Sequence, residues 1–389
     1  MNVYNMRFKD NNEFKKLKNI SLTVLTTFGH NGLDWMHSLL DSHSELLIMP
    51  AFSFFRTVDR IKLHNKNINF DKKNSINQIS ELFANMFLKD NRNKTQRRNF
   101  ISTKIKKAEF KKYLIFWLKN SDINDFKKDL FLGIHYAYVK IYKIDLKKKK
   151  ILVHQEHVPW HAEKYLDLFN PKFIFMMRDP RAAIAGSILR MEKHNSDIIY
   201  ANQFDHVLLY WKYSTYFTCY KKNMNPKNII VIKNEKLHQN LRKEMKKISN
   251  WLGVKFSNTL LNQSFLGKKW YGESAYLQGK NQEDDLKKLP PKNYYYPKEI
   301  KKRWKSVIDS KITLMIEVIF RKVMNKYEYK CENKINFLNI VRGYFYCLTK
   351  FTNQKKYFIN KFLIKIRNLI RRLIILVYPS LVYRIYKIL

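Results

Sequence analysis

Short apolar runs divide the chain into predicted strands. Residues 21–28 and 151–154 have this character, as do "KFIFMM" at 172–177 and "NIIVIKNEKL" at 228–237, where the strand is followed by its exit loop. The run at 172–177 is apolar without interruption, which is typical of a strand buried on both faces. Four strands are therefore predicted, spread over more than half of the chain.

Stretches with helical spacing separate these runs. Helices are predicted to start at Asp34, to cover residues 161–169, to open at Pro180, and to lie within 242–256 with Gly253 as the C-cap. Residues 55–150 are rich in lysine and mostly helical in pattern. Because strands and helices alternate, the prediction is an α/β fold with a parallel sheet covered by helices on both faces.

Charge adds a second feature to this picture. The net charge is +43, from 75 Lys and Arg against 32 Asp and Glu. Such a charge attracts polyanions, but the lysines are spread over nearly the whole chain, which favours a general compositional bias as their main cause.

The last part of the chain differs from the rest. Between Cys331 and Leu389 the only acidic residue is Glu332, against twelve Lys and Arg. Residues 331–389 are therefore predicted to form a basic amphipathic helical tail, whose portion 361–389 suits an anionic membrane surface. The alternative is a terminal helix packed on the core.

The cysteines and the lengths of the apolar runs indicate the cellular compartment of the protein. Cys219, Cys331 and Cys347 are far apart and lack metal-ligand spacing, which fits a reducing environment. The N-terminal residues lack a signal-peptide core, and no uncharged apolar run reaches the roughly 18 residues of a membrane span. We expect a cytoplasmic protein, peripheral on the inner membrane face if the tail binds lipid.

The stretch "LTTFGHNGLDWMHSLLDSH" at 25–43 joins the first strand to a helix through a glycine turn. Gly29 and Gly32 permit backbone N–H groups to converge, the helix N-terminus adds partial positive charge, and His30 lies between the glycines. The sequence lacks G-x-x-x-x-G-K-[ST], so an ordinary nucleotide triphosphatase is disfavoured. The alternative is a plain strand–helix turn.

A second motif, "FIFMMRDPR", ends the strand at 172–177. It puts Arg178 at the carboxyl edge of the sheet, where open α/β folds bind ligands, and an arginine there can bind a phosphate bidentately. The alternative is a surface ion pair between Arg178 and Asp179.

The two motifs, in this order, resemble the sulfotransferase family, which uses 3′-phosphoadenosine 5′-phosphosulfate as donor. The similarity covers about residues 21–329 and includes "NIIVIKNEKLHQNLRKEMKKISNWLGVKF" and "FLGKKWYGES" at 265–274. It implies a P-loop-like three-layer sandwich with a central parallel sheet. Residues 1–330 would be the sulfotransferase-like domain, with a helical insertion at 55–150, followed by the tail at 331–389.

The resemblance also implies a donor site. Residues 28–35 would surround the 5′-phosphosulfate, Arg178 would bind the 3′-phosphate, and Ser187 would assist it. The residues of that loop are Phe28, Gly29, His30, Asn31, Gly32, Leu33, Asp34 and Trp35.

Three departures from the family pattern affect this site. His30 stands where the family usually has Lys or Arg, and it would stabilise the leaving group. Leu33 and Asp34 replace hydroxyl residues. Gly186 occupies the usual serine position, so that Ser187 is one residue late.

The segment "ILVHQEHVPW" at 151–160 supplies the predicted base. It is similar to the Lys-Thr-His-Leu-Pro segment of cytosolic sulfotransferases, which places His157 on their catalytic histidine and Gln155 on their lysine. Glu156 is a second candidate. A third is the series Asp34, His37 and Asp41, spaced along one helix face.

Two other interpretations use nearby residues. His154, His157 and His161 would form a metal site, but no His-Glu-x-x-His spacing occurs and Pro159 interrupts the helix, so no metal is expected. The aromatic segment at 211–222 fits either an acceptor pocket or a buried amphipathic helix.

The resulting hypothesis is a sulfotransferase that moves a sulfuryl group to a hydroxyl of a glycan, lipid or small metabolite. The first alternative is a non-catalytic nucleotide- or anion-binding descendant of the same fold. The second is a basic protein that binds nucleic acid or membrane by charge alone, with steep salt dependence. We expect no specific nucleic-acid partner.

Overall fold

The structure is a computed structural model of the 389-residue chain. It describes residues 11–27, 31–49, 52–64, 75–89, 107–157, 159–193, 208, 226–269, 300, 302–349, 369–370 and 373.

A five-stranded sheet forms the centre of the molecule. Its strands are β1 (Ser21–Thr26), β2 (Leu46–Ile48), β3 (Ile151–Glu156), β4 (Lys172–Met177) and β5 (Ile229–Lys233). The strand order is β2-β3-β1-β4-β5, and every neighbouring pair is parallel. The prediction of an α/β fold with a central parallel sheet is confirmed. The carboxyl ends of all five strands consequently lie at one edge.

Helices account for most of the remaining described residues. In chain order they are α1 (Asn11–Lys18), α2 (Leu33–Leu40), α3 (Phe54–His64), α4 (Ile76–Lys89), α5 (Lys107–Asn120), α6 (Phe126–Tyr142), α7 (Pro159–Glu163), α8 (Pro180–Lys193), α9 (Asn234–Gln239), α10 (Leu241–Leu252), α11 (Ser310–Ile319), α12 (Arg321–Lys326) and α13 (Phe337–Thr349). Two short strands, β6 (Ser264–Phe265) and β7 (Lys268–Lys269), form an antiparallel pair.

Successive side chains of the central strands enter different cores. Phe173 and Phe175 of β4 pack with α1 and α3–α6, whereas Ile174 and Met176 pack with α2 and α10. This alternation is what a strand covered on both faces requires, because its side chains point to opposite faces in turn. The layers are therefore helix, sheet and helix, as predicted.

Several boundaries differ from the predictions. Strand β3 is two residues longer than predicted and ends at Glu156, and helix α9 begins directly after β5, where an exit loop was expected. Helix α7 ends at Glu163, so the predicted helix at 161–169 is wrong beyond that residue. Strand β2 was not predicted, because three residues, "LLI", carry too little pattern to separate a strand from a helix.

A third core joins α8 to the C-terminal helices. Residues of α8, α11, α12 and α13 pack together around Trp304, which is 3% exposed. The predicted opening of α8 at Pro180 is confirmed. The boundary at residue 330 and the helical tail at 331–389 stay predictions, because most of residues 350–389 lie outside the described residues. Within the described part, no helix has the length and apolar character needed to cross a bilayer.

Candidate active site

Buried hydrogen bonds connect the end of β1 to the end of β4. Thr27 follows β1 directly, and its hydroxyl donates to the carbonyl oxygen of Met176 over 2.7 Å. The side-chain amide of Asn31 donates to the same hydroxyl oxygen over 2.9 Å. Both side chains are buried, so these bonds are shielded from water. The predicted glycine loop and the strand that precedes Arg178 are thus fixed side by side.

Gly32 makes the turn into α2. Its φ of +83° lies in the left-handed region, and a Cβ built on it would come within 2.0 Å of the Asn234 side-chain nitrogen. Glycine is required here both by conformation and by space. The start of α9 therefore packs directly against the turn, a contact that the sequence did not reveal.

Two of the unusual residues of this site bind each other. The Gln155 side-chain nitrogen donates to Asp34 Oδ1 over 2.8 Å. Asp34 is in the first turn of α2, where a negative charge is favourable, and Gln155 is 1% exposed next to the end of β3. Both residues differ from the family pattern, and the bond shows that the two departures are structurally coupled.

Arg178 follows β4 and is half-buried. The charge of Arg178 acts on Glu235, on His238 and on Tyr329. The backbone N–H of Asp179 donates to Glu235 Oε1 over 2.9 Å, and the Tyr329 hydroxyl donates to Glu235 Oε2 over 3.1 Å. Burial raises the pKa of Glu235, and the Asp179 N–H and the Arg178 charge oppose that rise.

A stacked ring pair lies close to this cluster. The rings of Trp35 and His238 have centroids 3.9 Å apart and planes inclined by 18°. Burial first, and then the positive charges of Arg178 and Arg303, together lower the pKa of His238 to about 3. His238 is therefore neutral at physiological pH, and it brings no charge to the site.

Arg181 has a different environment from Arg178. Its guanidinium donates to Asp179 Oδ1 and Oδ2 over 3.0 and 2.6 Å, to Glu317 Oε1 over 2.5 Å, and to the Lys330 carbonyl over 2.9 Å. It also lies 4.7 Å from the centre of the Trp304 ring. Arg181 is 5% exposed, and Asp179 is 9% exposed. The Asp179 carboxylate, which the sequence offered as a partner for Arg178, thus pairs with Arg181.

The predicted bases lie at the end of β3. Glu156 is fully buried, and its Oε2 accepts from the Phe55 N–H over 3.3 Å and from the Tyr165 hydroxyl over 3.5 Å. His157 is half-buried, and its backbone N–H donates to the Ser53 hydroxyl over 3.4 Å. Glu156 is thus enclosed by the protein, whereas His157 is partly open to solvent.

His161 supports Glu156 from α7. Its Nδ1 is 3.8 Å from Glu156 Oε1, and its Nε2 is 3.1 Å from Asp59 Oδ2. Burial works against protonation of His161, but the contact with Asp59 and the nearby carboxylate of Glu156 outweigh it and raise the pKa of His161. Glu156, His161 and Asp59 consequently form a connected polar group behind His157.

The three residues of the third base candidate, Asp34, His37 and Asp41, have different surroundings. Asp34 accepts from Gln155, His37 is 2% exposed near the Phe265 ring, and Asp41 Oδ2 accepts from the Ser264 hydroxyl and the Gly267 N–H. Asp34 contacts Gln155 beside the turn, whereas the contacts described for Asp41 lie at the other end of α2.

The histidines that the metal interpretation groups together have different surroundings. His154 is buried among the rings of Phe52, Phe131, His135 and Tyr165, and burial lowers its pKa well below the ordinary value. His161 contacts Asp59 and Glu156 instead. No metal-binding group of three or more His, Cys, Asp or Glu exists among the described residues.

The remaining predicted residues fall into two groups. Leu33 and Ser187 are buried, and the Ser187 hydroxyl donates to the Ala183 carbonyl of its own helix over 3.0 Å. Phe28, Gly29 and His30 lie outside the described residues, as do residues 211–222 and 270–274. The donor-binding roles of all these residues stay predictions.

Four neighbours of the site were missed as such by sequence reasoning: Asn234, Glu235, His238 and Tyr329. The first three lie in α9, directly after β5, where only an exit loop was expected. Their position near the end of β4 is a consequence of sheet order, because the strand that precedes them, β5, pairs with β4. Nothing in the sequence indicates that Tyr329 contacts Glu235, because the two residues are 94 positions apart.

Comparison with known proteins identifies this arrangement. The sequence model of the sulfotransferase family (Sulfotransfer_3) matches residues 32–258, more than half of the 389-residue chain. The chain belongs to the sulfotransferase family. The matched region contains the turn at Gly32, the base candidates and Arg178. The protein is therefore an enzyme of the sulfuryl-transferring class.

Solved structures give three similar chains. The sulfotransferase domain of the Synechococcus PCC 7002 olefin synthase is 16% identical, with a TM-score of 0.45, and the alignment covers 80% of this chain and 96% of that one. The sulfotransferase domain of the curacin biosynthetic pathway is 15% identical, with a TM-score of 0.45 and coverage of 80% and 98%. Sulfotransferase STF9 of Mycobacterium avium is 10% identical, with a TM-score of 0.39 and coverage of 84% and 81%. No curated protein sequence matches the chain.

Proposed function

We propose that this sulfotransferase takes its sulfuryl group from 3′-phosphoadenosine 5′-phosphosulfate and transfers it to a hydroxyl of a glycan, lipid or small metabolite. The observation that carries the proposal is the pairing of two anion-binding features at one sheet edge. The turn at Gly32 opens α2, and the Thr27–Met176 hydrogen bond ties that turn to the strand that ends at Arg178.

The two features suit the two anionic ends of such a donor. The N-terminus of α2 suits the 5′-phosphosulfate, because its backbone N–H groups and dipole favour negative charge. The guanidinium of Arg178 suits the 3′-phosphate through charge-assisted hydrogen bonds. Asp34 would oppose an anion at the turn, and its hydrogen bond to Gln155 directs one carboxylate oxygen toward β3.

For the transfer step, we assign the base to His157. The acceptor oxygen forms a bond to sulfur as the bond from sulfur to the bridging phosphate oxygen breaks, and the acceptor proton passes to the His157 imidazole. Imidazole accepts protons near neutral pH, and His157 is partly open to solvent. Glu156 is fully buried and already accepts two hydrogen bonds, which suits a residue that positions the end of β3. His30 remains the proposed cation at the leaving phosphate.

Donor binding is tested by calorimetric titration of the full chain with 3′-phosphoadenosine 5′-phosphate, with ATP and AMP as controls and at two salt concentrations. We expect binding that requires the 3′-phosphate and that weakens about a hundredfold in Arg178→Ala. The exposed Arg242 on α10 provides the matched control, Arg242→Ala, which should bind as the wild type does. Equal binding of all three nucleotides would refute the donor assignment.

The base is tested by transfer from labelled donor to a panel of hydroxylated sugars and lipids. Loss of a general base lowers turnover by about a hundredfold or more, so His157→Ala should lose transfer while it still binds the nucleotide. Glu156→Gln retains the shape of the side chain and should lower turnover less. Unchanged transfer in His157→Ala would remove it as the base, whereas binding without any transfer in the wild type would favour the non-catalytic alternative.

The location of the enzyme extends this proposal. Cysteine usage and the basic tail support a cytoplasmic protein, with residues 361–389 at the inner face of the membrane. Of these residues, only 369, 370 and 373 are among those that the structure describes. Fractionation of cells that produce the full chain tests the assignment, and recovery outside the cytoplasmic and membrane fractions would contradict it.

A further inference from the structure

Helix α13 has a row of large apolar side chains on its outer face. Phe337 is 82% exposed, Leu338 54%, Val341 48% and Phe345 59%. Phe337, Val341 and Phe345 are four residues apart, so they lie along one side of the helix, with Leu338 beside them. We call these four side chains the outer stripe. An exposed apolar patch of this kind marks a contact surface on a soluble protein.

The opposite side of α13 is packed on the protein. A Cβ on Gly343 would come within 2.6 Å of a Val318 methyl group of α11, and Cys347 is 1% exposed. The orientation of α13 is thus fixed by close packing. Helix α13 therefore has a second apolar face, the outer stripe, besides the one that packs on the protein. An ordinary surface helix is polar on the side away from the core.

Positive charge accompanies the stripe. Arg342 and Lys334 are exposed on and next to α13, and Glu332 is the only acidic residue between Cys331 and the C-terminus, against twelve Lys and Arg. The Lys305 ammonium pairs with Glu332, which further reduces the negative charge available there. Tyr344 and Tyr346 are half-buried on α13, and tyrosine is favoured where an apolar region meets water.

We propose that the outer stripe of α13 lies in the interface of an anionic lipid bilayer, with the helix parallel to the membrane plane. Apolar side chains along one face with cations beside them are what interfacial helices use, because the stripe enters the acyl boundary while the cations contact anionic headgroups. The helix has 13 residues and is about 20 Å long, which is too short to cross the hydrocarbon core.

Charge favours a membrane over a second copy of the chain. Each copy has a net charge of +43, and a symmetric dimer through α13 would bring two such regions together. An anionic bilayer complements that charge. The inference concerns a surface distant in sequence from the proposed donor site, and it stands independently of the donor and the acceptor.

The test is co-sedimentation of the full chain with vesicles of phosphatidylcholine alone and of equal parts phosphatidylcholine and phosphatidylglycerol. We expect binding to the anionic vesicles, and a loss of about tenfold for each of Phe337→Ser and Phe345→Ser, because each removes one phenyl group from the interface. Leu63→Ser is the matched control, since Leu63 is 72% exposed on α3. Its binding should equal that of the wild type. Arg342→Gln should weaken binding to the anionic vesicles by about fivefold.

Several outcomes would overturn the proposal. Unchanged binding in Phe337→Ser and Phe345→Ser would assign the membrane contact to the tail at 361–389. A concentration-dependent dimer that dissociates in Phe337→Ser would assign the stripe to a second copy. Equal binding to both kinds of vesicle would show that binding does not depend on anionic lipid. Circular dichroism of each variant separates these results from unfolding, and the exposure of both phenyl groups predicts a retained fold.

Discussion

The loops that follow β1 and β4 are neighbours at the carboxyl edge of the sheet, yet they differ in how they treat charge. Residues 31–35, which complete the first loop, contain no cation, and their one carboxylate, Asp34, accepts a hydrogen bond from neutral Gln155. The segment after β4 contains two arginines, Arg178 in the loop and Arg181 in the first turn of α8. Arg181 is buried in a network with Asp179 and Glu317, and Arg178 is half-buried toward Glu235 and His238.

The difference shows how binding of the proposed donor would be divided between the two segments. After β1, the side-chain amides of Asn31 and of Gln155 on β3 make the hydrogen bonds that surround the turn, and an anion there would be attracted by the backbone, by helix α2 and by the proposed cation His30. After β4, Arg178 places a permanent positive charge near Glu235 and His238, and Arg181 pairs with Asp179, the residue next to Arg178. Among the described residues of the two segments, permanent positive charge is thus found after β4 and not after β1.

The largest expected effect concerns the buried arginine. Arg181→Ala would leave two buried carboxylates without their partner, and breaking such a network destabilises a protein by about 3–5 kcal/mol. Urea unfolding would measure it. The control Arg242→Ala removes an exposed guanidinium and should change the free energy of unfolding by less than about 0.5 kcal/mol. Equal effects in both variants would show that the Arg181 network contributes nothing special.

The next largest effect is expected at Gly32, where a substitution tests the packing of Asn234 against the turn. Gly32→Ala combines an unfavourable φ with a contact at 2.0 Å to Asn234, and we expect about 2–3 kcal/mol of destabilisation. Gly253→Ala is a close control, since Gly253 has a φ of +82° with nothing within 4 Å of a Cβ. Its effect should be about 1 kcal/mol. If the two variants lose the same stability, the packing of Asn234 on the turn has no energetic importance.

A smaller effect is expected at the carboxylate of the first loop. Asp34→Asn removes a negative charge near the proposed phosphosulfate and retains an oxygen for Gln155, so affinity for 3′-phosphoadenosine 5′-phosphate should rise about fivefold. Calorimetric titration measures the change. Asp41→Asn, at the other end of the same helix, should have little effect on affinity. A weaker complex in Asp34→Asn would mean that the carboxylate assists binding.

The smallest effect is a shift in a histidine titration. The pKa of His238 is about 3, against an ordinary 6.5, because of burial first and then the charges of Arg178 and Arg303. The unfolded chain thus binds the proton more readily, so the contribution of neutral His238 to stability is present above pH 6.5 and is lost as pH falls from 6.5 toward 3.

Magnetic resonance of the imidazole protons follows this titration. The pKa should rise in Arg178→Ala, and also when 3′-phosphoadenosine 5′-phosphate neutralises Arg178. An unchanged pKa in both cases would place the Arg178 charge away from His238.

The sequence predicted the layers of the fold because strongly apolar runs leave few alternatives. "KFIFMM" fits only an interior strand in this context, and its bounds are correct. The short strand β2 was not predicted, because three residues carry no period. The helix that begins directly after β5 was not predicted, because its N-cap is Lys233, which makes no side-chain cap hydrogen bond, and its six residues are too few for a clear helical pattern.

For the site, the sequence identified the residues at the strand ends and missed what connects them. The bond between Gln155 and Asp34 joins residues 121 positions apart, and it depends on the alignment of β1 with β3, which places Leu25 beside Gln155. Likewise, only the folded chain shows that Arg181 rather than Arg178 takes up the Asp179 carboxylate. Long-range polar pairs of this kind leave no local pattern.

The network around Arg181 also changes how the chain can be divided. The boundary expected at residue 330 falls inside it: the Lys330 carbonyl accepts from Arg181, while the N–H groups of Glu332 and Asn333 donate to Glu317. A chain cut there would lose the N–H groups that satisfy a fully buried carboxylate, and the loop that carries Arg178 would lose its support. A shortened enzyme should accordingly keep at least residues 331–333.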